Sequence, residues 1–275
     1  MKKVGHTGTL DPDVEGVLPI CLGKATKIAE YITDSGKEYI GEVTIGRATS
    51  TEDASGEIVE AKKVDRTFSR EEILDVLDSL TGEIVQVPPM YSAVKVNGKR
   101  LYEYARKGIE VERPKRTVMI YELELLDDRG EFGGDPVVFS FRAKCGKGTY
   151  IRTLAVMIGE RLGYPAHMSS LVRTSSGSFQ EQDCITLEEL AILAEENRVE
   201  MALRPLEAGL SGLPIYEIND KLIEKVRNGA VLEKTPNWPR GTATAMYKGK
   251  AVAIYEEHPE KPGLVKPVKV LRNEQ

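Results

Sequence analysis

Apolar positions along this chain change period several times, and each change marks a new element. From Lys24 to Ile32 they fall at Ala25, Ile28, Ala29 and Ile32, the spacing of one face of a short helix. Tyr39, Gly41, Val43 and Ile45 then alternate, which predicts a strand. Ser69-Arg70-Glu71-Glu72 is a capping box, and Ile73, Leu74, Leu77 and Leu80 form a helical stripe that Gly82 should end. Val94-Lys95-Val96 runs into Asn97-Gly98, a strong hairpin signal inside 92–104. Strands are predicted over 118–126 and 137–145, with a loose connection at 130–134. Tyr150 to Leu162 places Leu154, Met157, Ile158 and Leu162 on one helical face, stopped by Gly163. Thr186-Leu187-Glu188-Glu189 is a second capping box.

The pattern shifts near 209–214. Beyond it come a short helix at about 220–227, closed by Gly229, and short strands at 242–247 and 251–256 around Lys248-Gly249-Lys250. Val265 to Leu271 alternates around Pro267, which suits an edge strand. By itself this tail reads as a small β-rich module.

Composition adds bounds. A chain of 275 residues can bury a sizeable core in one large or two smaller domains. No run of about 18 apolar residues predicts a membrane helix. Met1-Lys2-Lys3-Val4-Gly5 lacks the apolar stretch of a signal peptide. Cys21, Cys145 and Cys184 are far apart and odd in number, as reduced thiols of a cytoplasmic protein would be. His6, His167 and His258 lack metal-ligand spacing, and no metal or other cofactor is expected.

The formal net charge of −5 conceals strong segregation. Pro88–Arg116 holds eight Arg/Lys against three Asp/Glu, and Leu213–Gln275 eleven against eight. Ser50–Glu83 and Glu181–Gly212 are each acidic by six. Any one of these segments is compatible with a solvated face. Two basic segments flanking a catalytic core would suit an RNA-facing surface.

The densest chemistry lies in His6-Thr7-Gly8-Thr9-Leu10-Asp11-Pro12. Pro12 fixes its own φ and biases Asp11 towards extended geometry. A carboxylate held so can act as nucleophile or general base, or can simply close a turn through its own backbone.

Further residues give this run a context. It continues as Glu15-Gly16-Val17-Leu18-Pro19 and Gly23-Lys24-Ala25-Thr26-Lys27. There follow, in order, Lys37-Glu38-Tyr39, Pro88-Pro89-Met90-Tyr91-Ser92-Ala93, Lys147-Gly148-Thr149-Tyr150-Ile151-Arg152-Thr153 and Gly163-Tyr164-Pro165-Ala166-His167. Over nearly the whole chain this resembles the TruB family of tRNA pseudouridine synthases. The resemblance implies an α+β fold: a pseudouridine-synthase catalytic domain over 1–210 with a central, mostly antiparallel sheet, and a small C-terminal β-barrel, PUA-like RNA-binding domain over 211–275. The implied reaction isomerises a T-loop uridine of tRNA (position 55), flipped out of its stack, to pseudouridine.

The same resemblance assigns roles. Asp11 matches the essential carboxylate, and an ordinary Asp, with a pKa of about 3.9, is already ionised at neutral pH. Arg152 matches the arginine that pairs with it; read alone it is a surface arginine at a helix start. Tyr39 matches the tyrosine that stacks on the target base and is implicated in moving the C5 proton, although a strand tyrosine is also an ordinary core residue. Tyr150 and Leu171 match pocket residues, and Leu171 equally suits a core. His6 matches the histidine that contacts the flipped nucleotide. Lys24 and Lys27 fit either phosphates or a solvated helix face. The segment 88–113 matches a loop inserted against the tRNA T arm, which favours action without a guide RNA. A monomer with no membrane partner is a separate expectation.

Family members carry a strand, a helix and a Lys-Pro-x-Gly-x-Thr-Ser motif ahead of the catalytic loop, whereas here His6 follows closely on Met1. The expectation is a missing segment, with loss of sheet hydrogen bonds. Two rival functions follow from the residues: a tRNA-binding or RNA-folding protein without turnover, and a glycosylase that uses Asp11 hydrolytically.

Overall fold

The computed structural model describes residues 3–273; Met1, Lys2, Glu274 and Gln275, which include two residues of the N-terminal signal-peptide reading, lie outside it. The chain folds as two compact units: Leu10–Val17 with Gly36–Ser176, and the remainder, made of the residues up to Thr9, Leu18–Ser35 and the chain from Gly177.

The first unit is built on five long strands, β1 (Lys37–Ile45), β2 (Gly82–Gln86), β3 (Arg116–Leu125), β4 (Val137–Cys145) and β5 (Ala166–Ser176). They lie in the order β5-β1-β4-β3-β2, every pair antiparallel. Alternation in β4 buries Val137, Phe139, Phe141, Ala143 and Cys145 on one face. Helices α1 (Arg70–Ser79) and α2 (Ile151–Leu162) cover that face, adding Ile73, Leu77, Leu154, Ile158 and Leu162 to the core.

Local signals explain most boundaries. Ser69 accepts from the Glu72 amide at 3.2 Å and starts α1. Asn97 and Gly98, at φ 50° and 80°, turn the hairpin between Lys95–Val96 and Lys99–Arg100. The expected end of α1 at Gly82 is corrected: the helix stops at Ser79 and Gly82 opens β2. The loose stretch 130–134 contains Glu131–Phe132, paired with Phe68–Ser69, with Phe132 fully buried.

In the second unit, Val4–His6 pairs with Ile20–Leu22. The helix expected from Lys24 is a 3₁₀ turn, Gly23–Ile28, continued by an α-helix, Ala29–Asp34. Helix α3 (Leu187–Glu195) begins at Thr186, whose hydroxyl accepts from the Glu189 amide at 3.1 Å. A curled five-stranded sheet follows, from β6 (Ile215–Glu217), β7 (Leu232–Glu233), β8 (Ala243–Tyr247), β9 (Lys250–Glu257) and β10 (Leu264–Val270), in the order β6-β8-β9-β10-β7. Two-residue β7 covers only Leu264 and Val265 of β10, so Pro267 lies beyond that pairing and β10 is not the edge strand expected.

Candidate active site

Asp11 sits on the loop ahead of Glu15–Gly16, which pairs parallel with Val172–Arg173 of β5. The loop is held at both ends: the Val14 amide donates to the Asp11 carbonyl at 3.0 Å and the Val17 amide to the Arg173 carbonyl at 2.7 Å. Gly16 runs so close to β5 that a Cβ there would stand 2.2 Å from the Arg173 carbonyl oxygen, and its φ of +108° also requires glycine.

Arg152 rises from the first turn of α2, which is fixed at its start by Gln86. That side chain donates to the Tyr150 carbonyl at 3.2 Å and accepts from the Tyr150 amide at 2.9 Å. The Arg152 side chain is 6% exposed. Its Nε lies 2.9 Å from Asp11 Oδ2, and Nη2 donates to Oδ1 at 3.1 Å. The fork also donates to the carbonyls of Thr51 (3.0 Å) and Tyr91 (2.9 Å), and Nη1 lies 3.5 Å from Asp53 Oδ2. A guanidinium can meet acceptors on this many sides because its donors lie in one rigid plane.

Burial raises the Asp11 pKa above its ordinary value; Arg152 pulls it down and Asp53 pushes it up, so burial prevails. For Asp53 burial acts in the same direction, yet hydrogen bonds outweigh it and the pKa is lowered. Thr51 Oγ1 and Ser55 Oγ donate to its Oδ1 at 2.6 Å each, and the Ser55 amide at 3.1 Å. Glu52 between them has φ 64°; its carboxylate accepts from Thr153 Oγ1 at 2.9 Å and faces Arg113 at 3.7 Å. Burial raises the Glu52 pKa.

Tyr39 and Leu171 are buried on adjacent strands β1 and β5. The negative charge of Asp11 acts on the phenols of both Tyr39 and Tyr150, in each of which burial is the main cause of a raised pKa. Asp11, Arg152, Tyr39, Tyr150 and Leu171 therefore belong to one unit. His6 belongs to the other, exposed on the strand Val4–His6. Lys27 donates to the Val270 carbonyl at 2.6 Å.

Sequence reasoning missed Thr51, Glu52, Asp53 and Arg173. Thr51-Glu52-Asp53-Ala54-Ser55-Gly56 carries an Asx-turn signal that could have marked the loop; nothing in the chain pointed from it to Arg152. Among the described residues no cluster of three His, Cys, Asp or Glu is placed to hold a metal ion. No helix among them is long and apolar enough to cross a membrane.

Comparison with known proteins gives this geometry a setting. The chain is similar to the solved Cbf5–Nop10–Gar1 complex (TM-score 0.72, 30% identity, 99% of this chain and 77% of that one). It is also similar to an H/ACA RNP bound to a substrate RNA containing 2′-deoxyuridine (TM-score 0.70, 28% identity, 99% and 77%). Residues 1–151 match the family model for the N-terminal domain of TruB family pseudouridylate synthase, and residues 152–211 that for the tRNA pseudouridylate synthase B C-terminal domain. Proteins called tRNA pseudouridine synthase B share 60% identity in Geobacillus thermodenitrificans (99% of this chain, 91% of that protein) and 55% in Bacillus cereus (100% and 90%). Fold and sequence together define an enzyme of the pseudouridine synthase class. Within that class, the chain belongs to the TruB family.

Proposed function

We propose that this protein isomerises the T-loop uridine of tRNA, position 55, to pseudouridine without a guide RNA, with Asp11 as the catalytic carboxylate. The observation that carries this is the two-point contact between Arg152 and Asp11, in the unit that also holds Tyr39, Tyr150 and Leu171.

The isomerisation breaks the N-glycosidic bond, turns the freed base and rejoins it through carbon. Asp11 acts as an anion at the reacting nucleotide, and Arg152 fixes where that anion points. The base is flipped out and stacks on Tyr39, which offsets unstacking by roughly 1–3 kcal/mol. Leu171 and Tyr150 close the pocket, and His6 contacts the flipped nucleotide. The hairpin within 88–113 lies against the T arm, where its basic residues meet phosphate. Residues 1–210 form the catalytic part and 211–275 a PUA-like RNA-binding part of a cytoplasmic monomer.

Tritium release from unmodified tRNA carrying [5-³H]uridine tests this. The parent should release tritium, and Asp11→Asn should release none while binding the same tRNA. Turnover by Asp11→Asn would sink the assignment of Asp11, and silence from the parent would sink the reaction.

A further inference from the structure

Arg173 is a buried cation outside the Asp11–Arg152 pair. It is 1% exposed, in β5, directly across the ladder from Tyr39 of β1. Its Nε donates to the Val17 carbonyl at 2.7 Å, and its own carbonyl accepts from the Val17 amide at the same distance. Its positive charge acts on the Tyr39 phenol in the sense that lowers the phenol's pKa. One residue is thus bonded through its side chain to the end of the Asp11 loop and paired in the ladder with a tyrosine that feels the charge of Asp11.

A guanidinium stays charged at any pH a protein meets, and burying it costs free energy that an apolar residue would not. Backbone pairing already joins 15–17 to β5. The side chain adds a fixed positive charge near Tyr39, where Cys145 and Asp11 act in the opposite sense.

We propose that Arg173 is a positioning residue for the isomerisation, holding the Tyr39 ring and hydroxyl in register with the Asp11 loop. This rests on the reading of Tyr39 as the residue that stacks on the base. No proton passes through Arg173; its effect is exerted through Tyr39 and Val17.

The test uses the full chain labelled with 3-fluorotyrosine, with the Tyr39 ¹⁹F resonance identified by its loss in Tyr39→Phe. In Arg173→Gln that resonance should shift and titrate higher by about one pH unit, because a positive charge has left the neighbourhood of the phenol. Single-turnover tritium release should fall at least about 10-fold, with tRNA affinity changed by less than about 3-fold. Should Arg173→Gln fail to fold, Arg173→Lys, which keeps the charge but not the fork, should still shift the Tyr39 resonance and slow release, with the midpoint near the parental one. A Tyr39 resonance and midpoint that superimpose on those of the parent would overturn the proposal, as would a parent-like release rate. Silence from the parent in the release assay would instead strike the reaction reading, and the resonance would still decide whether Arg173 holds Tyr39.

Discussion

Arg152 grips both carboxylate oxygens of Asp11, at 2.9 and 3.1 Å, although 141 positions of chain separate the two residues. The grip is one-sided in burial: the Arg152 side chain is 6% exposed and that of Asp11 41%. The cation is locked by the protein, while the anion keeps an open side.

Arg152→Lys should therefore cost far more than conservation of charge suggests. An ammonium cannot span Asp11, Thr51 and Tyr91 from one plane. We expect single-turnover release to fall by at least about 100-fold, through misplacement of Asp11. Filter binding should show tRNA affinity close to that of the parent, and a rate near the parental one would refute the positioning role.

Placement also governs Asp11 itself. Asp11→Glu keeps the charge and moves it by about one methylene, a displacement expected to cost on the order of 100-fold in rate. The variant should still bind tRNA. Parental activity would mean that the carboxylate acts at a distance rather than in contact.

The pH dependence carries a definite sign. If Asp11 acts as an anion, its raised pKa should place the acid limb of the rate profile above the ordinary carboxylate range. Asp53 contributes to that rise, so Asp53→Asn should move the acid limb of the single-turnover profile to lower pH. An unmoved limb would exclude electrostatic coupling of the two carboxylates. The sign for stability differs. The lowered pKa of folded Asp53 stabilises the fold above the unfolded value of about 3.9, a contribution lost as pH falls through the folded value. Urea titrations of Asp53→Asn should accordingly lose part of the acid sensitivity seen in the parent.

Two glycines separate stability from placement. A Cβ on Gly159 of α2 would stand 2.3 Å from Ala166 Cβ, and one on Gly16 would stand 2.2 Å from the Arg173 carbonyl oxygen. Either alanine variant should lose roughly 1–3 kcal/mol in urea unfolding through overpacking. Only Gly16→Ala lifts the loop that carries Asp11, so only it should slow release once both enzymes are folded. Equal rates would show that the loop is held elsewhere.

In the hairpin segment, Arg100 and Arg106 lie over the Tyr102 ring, at 5.8 and 5.2 Å from its centroid. If they meet phosphates, changing each to alanine should lower the slope of log affinity against log salt by roughly one unit. A slope unaffected by both changes would remove this segment from the tRNA interface.

Much of this was legible along the chain because it is local. Capping at Ser69 and Thr186, the turn at Asn97-Gly98 and the alternation of β4 depend on residues within a few positions. Strand β5 was not legible: Ser169, Ser170, Thr174 and Ser175 dilute its apolar pattern, and two register shifts interrupt its pairing with β1. The short strand Glu131–Phe132 was hidden among glycines, which likewise dilute the pattern.

The sequence by itself determined which residues could react: a carboxylate stiffened by Pro12, an arginine at a helix start, a tyrosine in a strand, and an ordered set of motifs that placed them in a family. Only the tertiary structure decided that Arg152 is buried and shared among Asp11, Asp53 and two carbonyls. It alone brought Arg173 beside Tyr39. The physical reason is that side-chain identity is local, whereas the field a side chain feels is set by burial and by charges that only folding brings near.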